Sequence, residues 1–546
     1  MRDMTTDILV VGGGLGGIAA ALAASRLGAR VVLTEELDWL GGQLTAQGVP
    51  PDEHPWIELV AGSRSYAELR ERIRDDYRRN YPLTAEARRQ HPFNPGMGNV
   101  GMLCHEPRVA LRAIEAMLAP GMSGGGLRVL RRLCPLRADV TGDRVRAVSF
   151  SDQDSGHELT IAAAIVIDAT ETGTLLELAG VEHVIGAEST ARFGEPHAID
   201  GPDDPLDQQA VTWCFAIDQL PGEDHRIARP ANYDVWRSIR IPDWPGPQFD
   251  WTVSDHVTHA PRRRALFAGD SDAAYAFDLW HARRIAWRRH HAPGTYASDI
   301  TLANWPQMDY WLKPTLGVPK ADAAAALAGA RELSLAWLYW MQTDAPRHDG
   351  GTGYPGLRLR GDVLGTRSGL AKQVYWRESR RIVAAFTVTE QHIGVAARPG
   401  CTQAEPFADT VGIGAYRIDL HPSTRGRNTV DIDSYPFQIP LGALLPVRID
   451  NLLPACKNLG TTRITSGAYR VHPVEWSIGE ASGALAAVAL RQAVPPRAVR
   501  ADAGRLEAFQ ATLRALGVML HWPSFGALTP QSRIGYGAGG IHGSPV

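Results

Sequence analysis

A chain of 546 residues, 44% hydrophobic and 21% charged, is too long for one compact core; two domains, or one nucleotide-binding domain carrying an insertion, are expected. A formal net charge of −3, with arginines interleaved among acids, offers no basic stripe for a phosphate backbone and excludes nucleic acid as the expected partner. The apolar stretch from Ile8 to Leu27 is broken by glycines and preceded by Asp3 and Asp7, unlike a signal peptide. No run is apolar enough to span a bilayer, so a cytoplasmic chain without membrane attachment is expected.

Taken in order, Asp7-Ile8-Leu9-Val10-Val11 reads as a strand ending at glycines, Leu15 to Leu27 as a helix, and Arg30 to Thr34 as a second strand ending at Glu35, together a βαβ unit. Trp56 to Arg89 is polar and helical in character, and Val109 to Leu118 is an amphipathic helix. Leu127 to Leu133 and Val145 to Phe150 are expected to pair across a Thr141-Gly142-Asp143 turn, and Leu159 to Ile167 is a strand leading into Asp168. From about Ala187 the text becomes rich in tryptophan and proline, with helices expected at Ala323 to Met341, capped by Asp322, and at Gly365 to Phe386. Three quarters of these tryptophans, Trp337 and Trp340 among them, are expected in packing roles. The strand Asn451 to Ala455 and the alanine-rich Ser477 to Leu490 return to the first idiom. The expected division is 1–186 and 401–495 for a discontinuous nucleotide-binding domain, 187–400 for an inserted α+β substrate or cap domain, and 496–546 for a C-terminal helix and tail.

Gly12-Gly13-Gly14-Leu15-Gly16-Gly17 satisfies GxGxxG through Gly12, Gly14 and Gly17. These allow in turn a tight bend, the approach of a pyrophosphate to the backbone, and close helix–strand packing, while the helix N-terminus faces the phosphates. Glu35, at the strand tip about 20 residues on, can accept from both ribose hydroxyls and would repel a 2′-phosphate. Gly351, Gly353 and Gly356 repeat the pattern without a preceding strand and are read as a loop.

The N-terminal unit, Gly41-Gly42-Gln43, the segment Ile165 to Gly173, Arg377-Glu378-Ser379-Arg380-Arg381 and the stretch Asn451 to Gly479 resemble FAD-dependent oxidoreductases of glutathione-reductase-type fold, nearest the subgroup of succinate dehydrogenase and fumarate reductase flavoproteins. The resemblance implies an α/β Rossmann-type fold and FAD. It places Gly12, Gly14, Leu15, Gly16 and Gly17 at the pyrophosphate, Glu35 at the ribose, and Gly41, Gly42 and Gln43 against the phosphates. It places Gln47, in Thr45-Ala46-Gln47-Gly48, beside the isoalloxazine, and it adds Ala169, Thr170, Gly173, Lys457, Asn458, Glu475, Ser477 and Ile478 to the cofactor-binding set. Gly42 stands where succinate dehydrogenases carry a flavin-linked histidine, so that linkage is not expected. Ala455-Cys456-Lys457-Asn458 replaces the family's Ala-Gly-acid, which makes a link through Cys456 conceivable although a buried thiol is the expected state.

His472, before Pro473 at the start of the late helix, is the expected general base or acid, with capping of that helix as the competing role. Arg463, Tyr469 and Arg470 are the expected substrate-binding residues, and Asp52-Glu53-His54, His105-Glu106 and His421 are further candidates. No metal is expected, since His290-His291 do not share a face. The function expected is oxidation of a small polar alcohol or amine, sugar-like for example, by hydride transfer to flavin N5, with electrons leaving to oxygen or a redox protein; a homo-oligomer is compatible with it. The alternatives are a reductase or monooxygenase fed by an external donor, or a non-catalytic flavin-binding subunit.

Overall fold

The computed structural model describes residues 2–241, 243–267, 278–524, 533–537 and 540–544. Strands β1 (Arg2–Val11), β2 (Val31–Glu35), β3 (Leu127–Arg131), β4 (Leu133–Thr141), β5 (Arg144–Asp152), β6 (Glu158–Asp168) and β7 (Leu452–Pro454) form one sheet in the order β3-β2-β1-β6-β5-β4, with β7 also paired to β6. The β3-β2-β1-β6 half and the β6–β7 pair are parallel, whereas β4, β5 and β6 form an antiparallel meander. Burial on both faces explains the unbroken apolar runs of β1 and β2.

Helix α1 (Leu15–Arg26) follows β1, α2 (Arg64–Asn80) and α3 (Pro107–Ser123) pack on each other, and α4 (Lys320–Thr343), α5 (Arg463–Tyr469) and α6 (His472–Arg491) come later. Helices α1 and α6 cross at backbone contact. A Cβ on Gly479 would stand 2.0 Å from the Gly16 carbonyl oxygen, and one on Gly483 would stand 2.1 Å from that of Ala20. The two helix N-termini are thereby brought together beside the glycine turn.

Between β6 and β7, Arg284–Ala286, Ile300–Ala303, Phe215–Gln219 and Leu357–Leu359 form a four-stranded antiparallel sheet, and α4 encloses a second core in which Trp337 and Trp340 stack at 4.7 Å. The packing role expected for those two tryptophans is what is seen. The Gly351–Gly356 stretch is a loop, as expected.

Three local expectations are corrected. The partner of β5 is β4, not Leu127–Arg131; Arg132 turns the chain at φ 60°, freeing β3 to extend the parallel sheet beside β2. Gly365 to Phe386 is not a helix. Gly365 and Gly369 take positive φ, and the backbone beyond them is spent on cross-chain bonds, from Ala371 to Cys214 and from Tyr375 to Thr212. The helix α4 is entered at Pro319, which places Asp322 in its first turn instead of at its cap, still favourable to the helix dipole. The tail beyond Tyr536 lies partly outside the described residues.

Candidate active site

The β1–α1 turn is fixed by backbone crowding. Gly12 has φ +105°, and a Cβ there would lie 2.2 Å from the Ala169 carbonyl oxygen; one on Gly17 would lie 1.9 Å from the Gly12 carbonyl oxygen, and one on Gly16 1.7 Å from that of Ala455. Leu15 is fully buried as the first residue of α1. Glu35 accepts from the Gly13 and Leu37 amides at 2.7 and 2.8 Å, which fixes its carboxylate at the tip of β2; burial, reinforced by Glu36, pushes it up to about 8.

Over Gly14 sit two carboxylates. A Cβ on Gly14 would meet Glu171 Oε1 at 3.1 Å and Glu475 Oε1 at 3.5 Å, so the two carboxylates lie directly against this glycine. Lys457, buried, is ion-paired with Glu171 and lies 4.0 Å from Glu475. Gln43 donates to Glu475 and to the Arg470 carbonyl oxygen, joining the Gly41–Gly42 loop to the turn between α5 and α6. Burial raises Glu475 to about 7 despite Lys457.

The remaining cofactor candidates fall into two groups. Ala169, Thr170 and Gly173 line the chain as it leaves β6, where Thr170 donates to Asp168, and Asn458 donates to the Asp168 carbonyl oxygen. Gln47 donates to Gln373 at 3.4 Å, while its Oε1 and Glu171 Oε1 are buried with no protein donor. Those acceptors would be satisfied by hydroxyls or an N–H of a bound ligand, and with the glycine cradle they fit FAD. Ser477 is turned away, donating to the Pro473 carbonyl oxygen, and Ile478 is packed in the core. The Cys456 thiol contacts the Thr170 carbonyl oxygen and Asn458 Oδ1, and burial pushes its pKa well up, the condition of an inert thiol.

A cavity of about 140 Å³ opens on the other side of this turn, lined by Asp52, Arg283, Tyr375, Arg377, Asp419, His421 and Arg470 among others. Arg470 belongs to both regions, its carbonyl receiving Gln43 and its guanidinium bonding Tyr375 Oη at 3.1 Å and Asp419 at 3.0 Å. Arg377 donates to the Ala210 carbonyl oxygen and to Thr212 and is ion-paired with Asp309 at 3.1 Å; Arg283 donates to the Asn304 carbonyl oxygen and reaches Asp52 at 3.5 Å. Each of these three arginines retains a buried Nε–H with no protein acceptor.

His421 is held through Nδ1, 2.6 Å from Asp309 Oδ2, with Nε2 3.8 Å from Asp419 Oδ2. Burial opposes charge on Asp309, but Arg377 and His421 outweigh it and hold its carboxyl below the ordinary range. An ionised Asp309 fixes the proton on Nδ1 and leaves Nε2 as the basic nitrogen. Burial likewise opposes charge on Asp419, which His421, when its ring is protonated, and Arg470 hold down to about 2, whereas burial and the nearby Asp419 lift Asp431 to about 7 although Arg417 pairs with it. His256, Asp419 and Asp431 bring ligand atoms within 4.8 Å of one another, a grouping that their separation in sequence concealed.

Of the four residues expected to act on substrate, only Arg470 lines the cavity. His472 is fully buried. Its Nδ1 accepts from the Asp52 amide at 3.1 Å, its Nε2 donates to the Val49 carbonyl oxygen at 3.2 Å, and burial pushes its pKa down to about 4. Both nitrogens of a neutral ring are thus spent on positioning the 49–52 loop. Tyr469 donates to the Gln438 carbonyl oxygen and stacks on Phe437, and Arg463 is paired with Glu378 and Asp207. Glu53 is ion-paired with Arg70, and His54 and His105 are buried with pKa values pushed down by burial. Asp309, Arg283 and Asp431 were missed; Arg417-Ile418-Asp419-Leu420-His421 carried a readable signal, a period-two strand whose alternate residues are all charged or titratable.

A family model described as FAD dependent oxidoreductase matches residues 7–513. The chain belongs to that family. It is an FAD-dependent oxidoreductase, and FAD is its cofactor. Sarcosine oxidase subunit alpha of Corynebacterium sp. (strain P-1) is 35% identical over 125 residues, 21% of this chain and 13% of that protein. The same subunit from strain U-96 is 40% identical over 99 residues, 16% of this chain and 10% of that protein. The chain therefore matches only about an eighth of the length of these curated relatives or less. Among solved structures, E. coli quinol fumarate reductase FrdA aligns over 94% of this chain and 74% of its own at 11% identity and TM-score 0.31. L-proline dehydrogenase from P. horikoshii aligns over 35% and 25% at 16% identity and TM-score 0.18. Among the described residues no helix is long and apolar enough to cross a membrane.

Proposed function

We propose that this oxidoreductase oxidises a small carboxylate-bearing amine or alcohol in the cavity beside the Gln43–Arg470 junction. The observation that carries the reading is the set of three guanidiniums lining the cavity, Arg377 and Arg470 buried and Arg283 half-buried, each with a buried Nε–H left over after its protein partners are counted. Charged donors left without acceptors in a buried wall suit an anionic ligand group. A neutral sugar would offer them hydroxyl acceptors but no opposite charge. The sarcosine oxidase subunits that share a segment with this chain carry an amine substrate in their name, which favours the amine.

FAD, when bound, accepts a hydride. The residues of the chain supply the rest: the arginines bind and orient the carboxylate, and His421, its Nδ1–H held by Asp309, takes the proton of the N–H or O–H at Nε2. Asp52, its backbone N–H anchored by His472, pairs with Arg283 in the cavity wall. Gly12, Gly14, Gly17, Glu35, Gln43, Lys457 and Glu475 are proposed as cofactor contacts.

Anaerobic mixing of the flavin-loaded protein with matched carboxylate-bearing and neutral amines and alcohols tests the reading. Bleaching of the flavin band is expected with the carboxylates; bleaching by the neutral compounds alone would overturn it.

A further inference from the structure

A second group of residues lining the cavity has a different character. His256, Asp419 and Asp431 come from three separate stretches of chain, two of them the paired strands Ile418–Leu420 and Val430–Ile432, and all three line the cavity. One oxygen of Asp419 is engaged by Arg470 and one of Asp431 by Arg417, so each carboxylate has a second oxygen not used in those ion pairs.

We infer that the trio His256, Asp419 and Asp431 binds the protonated amino group of the substrate, so that the cavity selects zwitterionic amino acids over the corresponding hydroxy acids. The inference rests on the carboxylate reading above and adds the second charge.

Size supports an ammonium group. Three acceptors at most 4.8 Å apart have a common point up to about 2.8 Å from each, the length of an N–H···O or N–H···N bond. Charge supports it too. Two neighbouring carboxylates that are both ionised repel, and burial with the adjacent Asp419 already pushes Asp431 up to about 7; a bound cation removes that conflict. An alcohol would supply one donor and no charge.

The position also suits the chemistry. His421 Nε2 stands 3.8 Å from Asp419 Oδ2, the oxygen that Arg470 engages, so an ammonium on the other oxygen shares the Asp419 carboxylate with the basic nitrogen. In the step, an ammonium N–H proton passes to His421 Nε2, the Cα–H bond breaks with its hydrogen and electron pair leaving to FAD as hydride, and the nitrogen lone pair forms the C=N bond. The products are an iminium carboxylate, two-electron-reduced cofactor and protonated His421.

The test uses flavin-loaded full-length protein and a panel of α-amino acids paired with 2-hydroxy acids of the same carbon skeleton, read by perturbation and bleaching of the flavin spectrum without oxygen. Amino acids are expected to act at concentrations at least tenfold lower than their hydroxy partners. Asp431→Asn is expected to erase that difference, and His256→Gln, which leaves the Asp431–Arg417 pair intact, is expected to reduce it should the first variant fail to fold. Equal or better action by the hydroxy acids would overturn the amino-group site and leave the carboxylate reading standing. If neither series acts, both readings fall. A divalent metal that copurifies one per chain and is lost on chelation together with amino-acid response would assign the trio to the metal and overturn the inference.

Discussion

The two sides of the Gln43–Arg470 junction are built by opposite means. On the cofactor side the shape is set by missing side chains: Gly12, Gly16, Gly17 and Gly479 let backbones approach to distances that no Cβ would allow. On the cavity side the shape is set by large charged side chains that constrain one another, with Arg377 on Asp309, His421 between Asp309 and Asp419, and Arg470 on Asp419. The first kind of site tolerates no added atom. The second tolerates changes of size but punishes removal of one partner, because the other is left buried and charged.

The comparison breaks most sharply at the glycines. Gly16→Val places a Cβ 1.7 Å from the Ala455 carbonyl oxygen, and a loss of more than about 4 kcal/mol, seen as absent flavin absorbance and no cooperative unfolding transition, is expected. Arg377→Met leaves the buried Asp309 to His421 and Thr212 alone and should cost roughly 3 kcal/mol in urea unfolding. His421→Gln keeps a polar group near Asp309 but removes the base; anaerobic flavin reduction should slow by roughly 10²–10⁴-fold while bound FAD is unchanged.

Smaller effects sharpen the contrast. His105 and His472 are buried neutral, with pKa values pushed from 6.5 to about 4. Because the unfolded chain binds their protons first, their stabilising contribution is full above about pH 6.5 and is lost as pH falls toward 4, by up to about 1.4 kcal/mol per pH unit for each. Thermal unfolding followed across that range should show the decline, and His472→Gln should make it shallower by one proton. Tyr469→Phe removes only the bond to the Gln438 carbonyl oxygen and should cost about 1 kcal/mol without altering flavin reduction.

The same contrast governs what could be read from the chain. Gly12, Gly14, Gly17 and Glu35 lie within one βαβ unit, so a local pattern carried their geometry and the fold with it. Arg283, Asp309, Arg377, His421 and Asp431 meet only through tertiary packing, and nothing in the neighbourhood of any one of them names the others. His472 attracted attention by its place before Pro473 at a helix start; that place turned out to serve the backbone of the 49–52 loop, through both ring nitrogens. The helix expected from Gly365 to Phe386 failed because positive-φ glycines and cross-chain bonding override the intrinsic preference of its alanines and arginines.

Pairing of β7 with β6 has a kinetic side as well. The strand that completes the first sheet is synthesised almost three hundred residues after its partner, at translation speeds of about 5–20 residues per second. For many seconds the edge of β6 waits on the ribosome without Leu452–Pro454, and α1 without the helix that its glycines were shaped to meet. The glycine turn therefore acquires its full framework only once Leu452–Pro454 and α6 have been made.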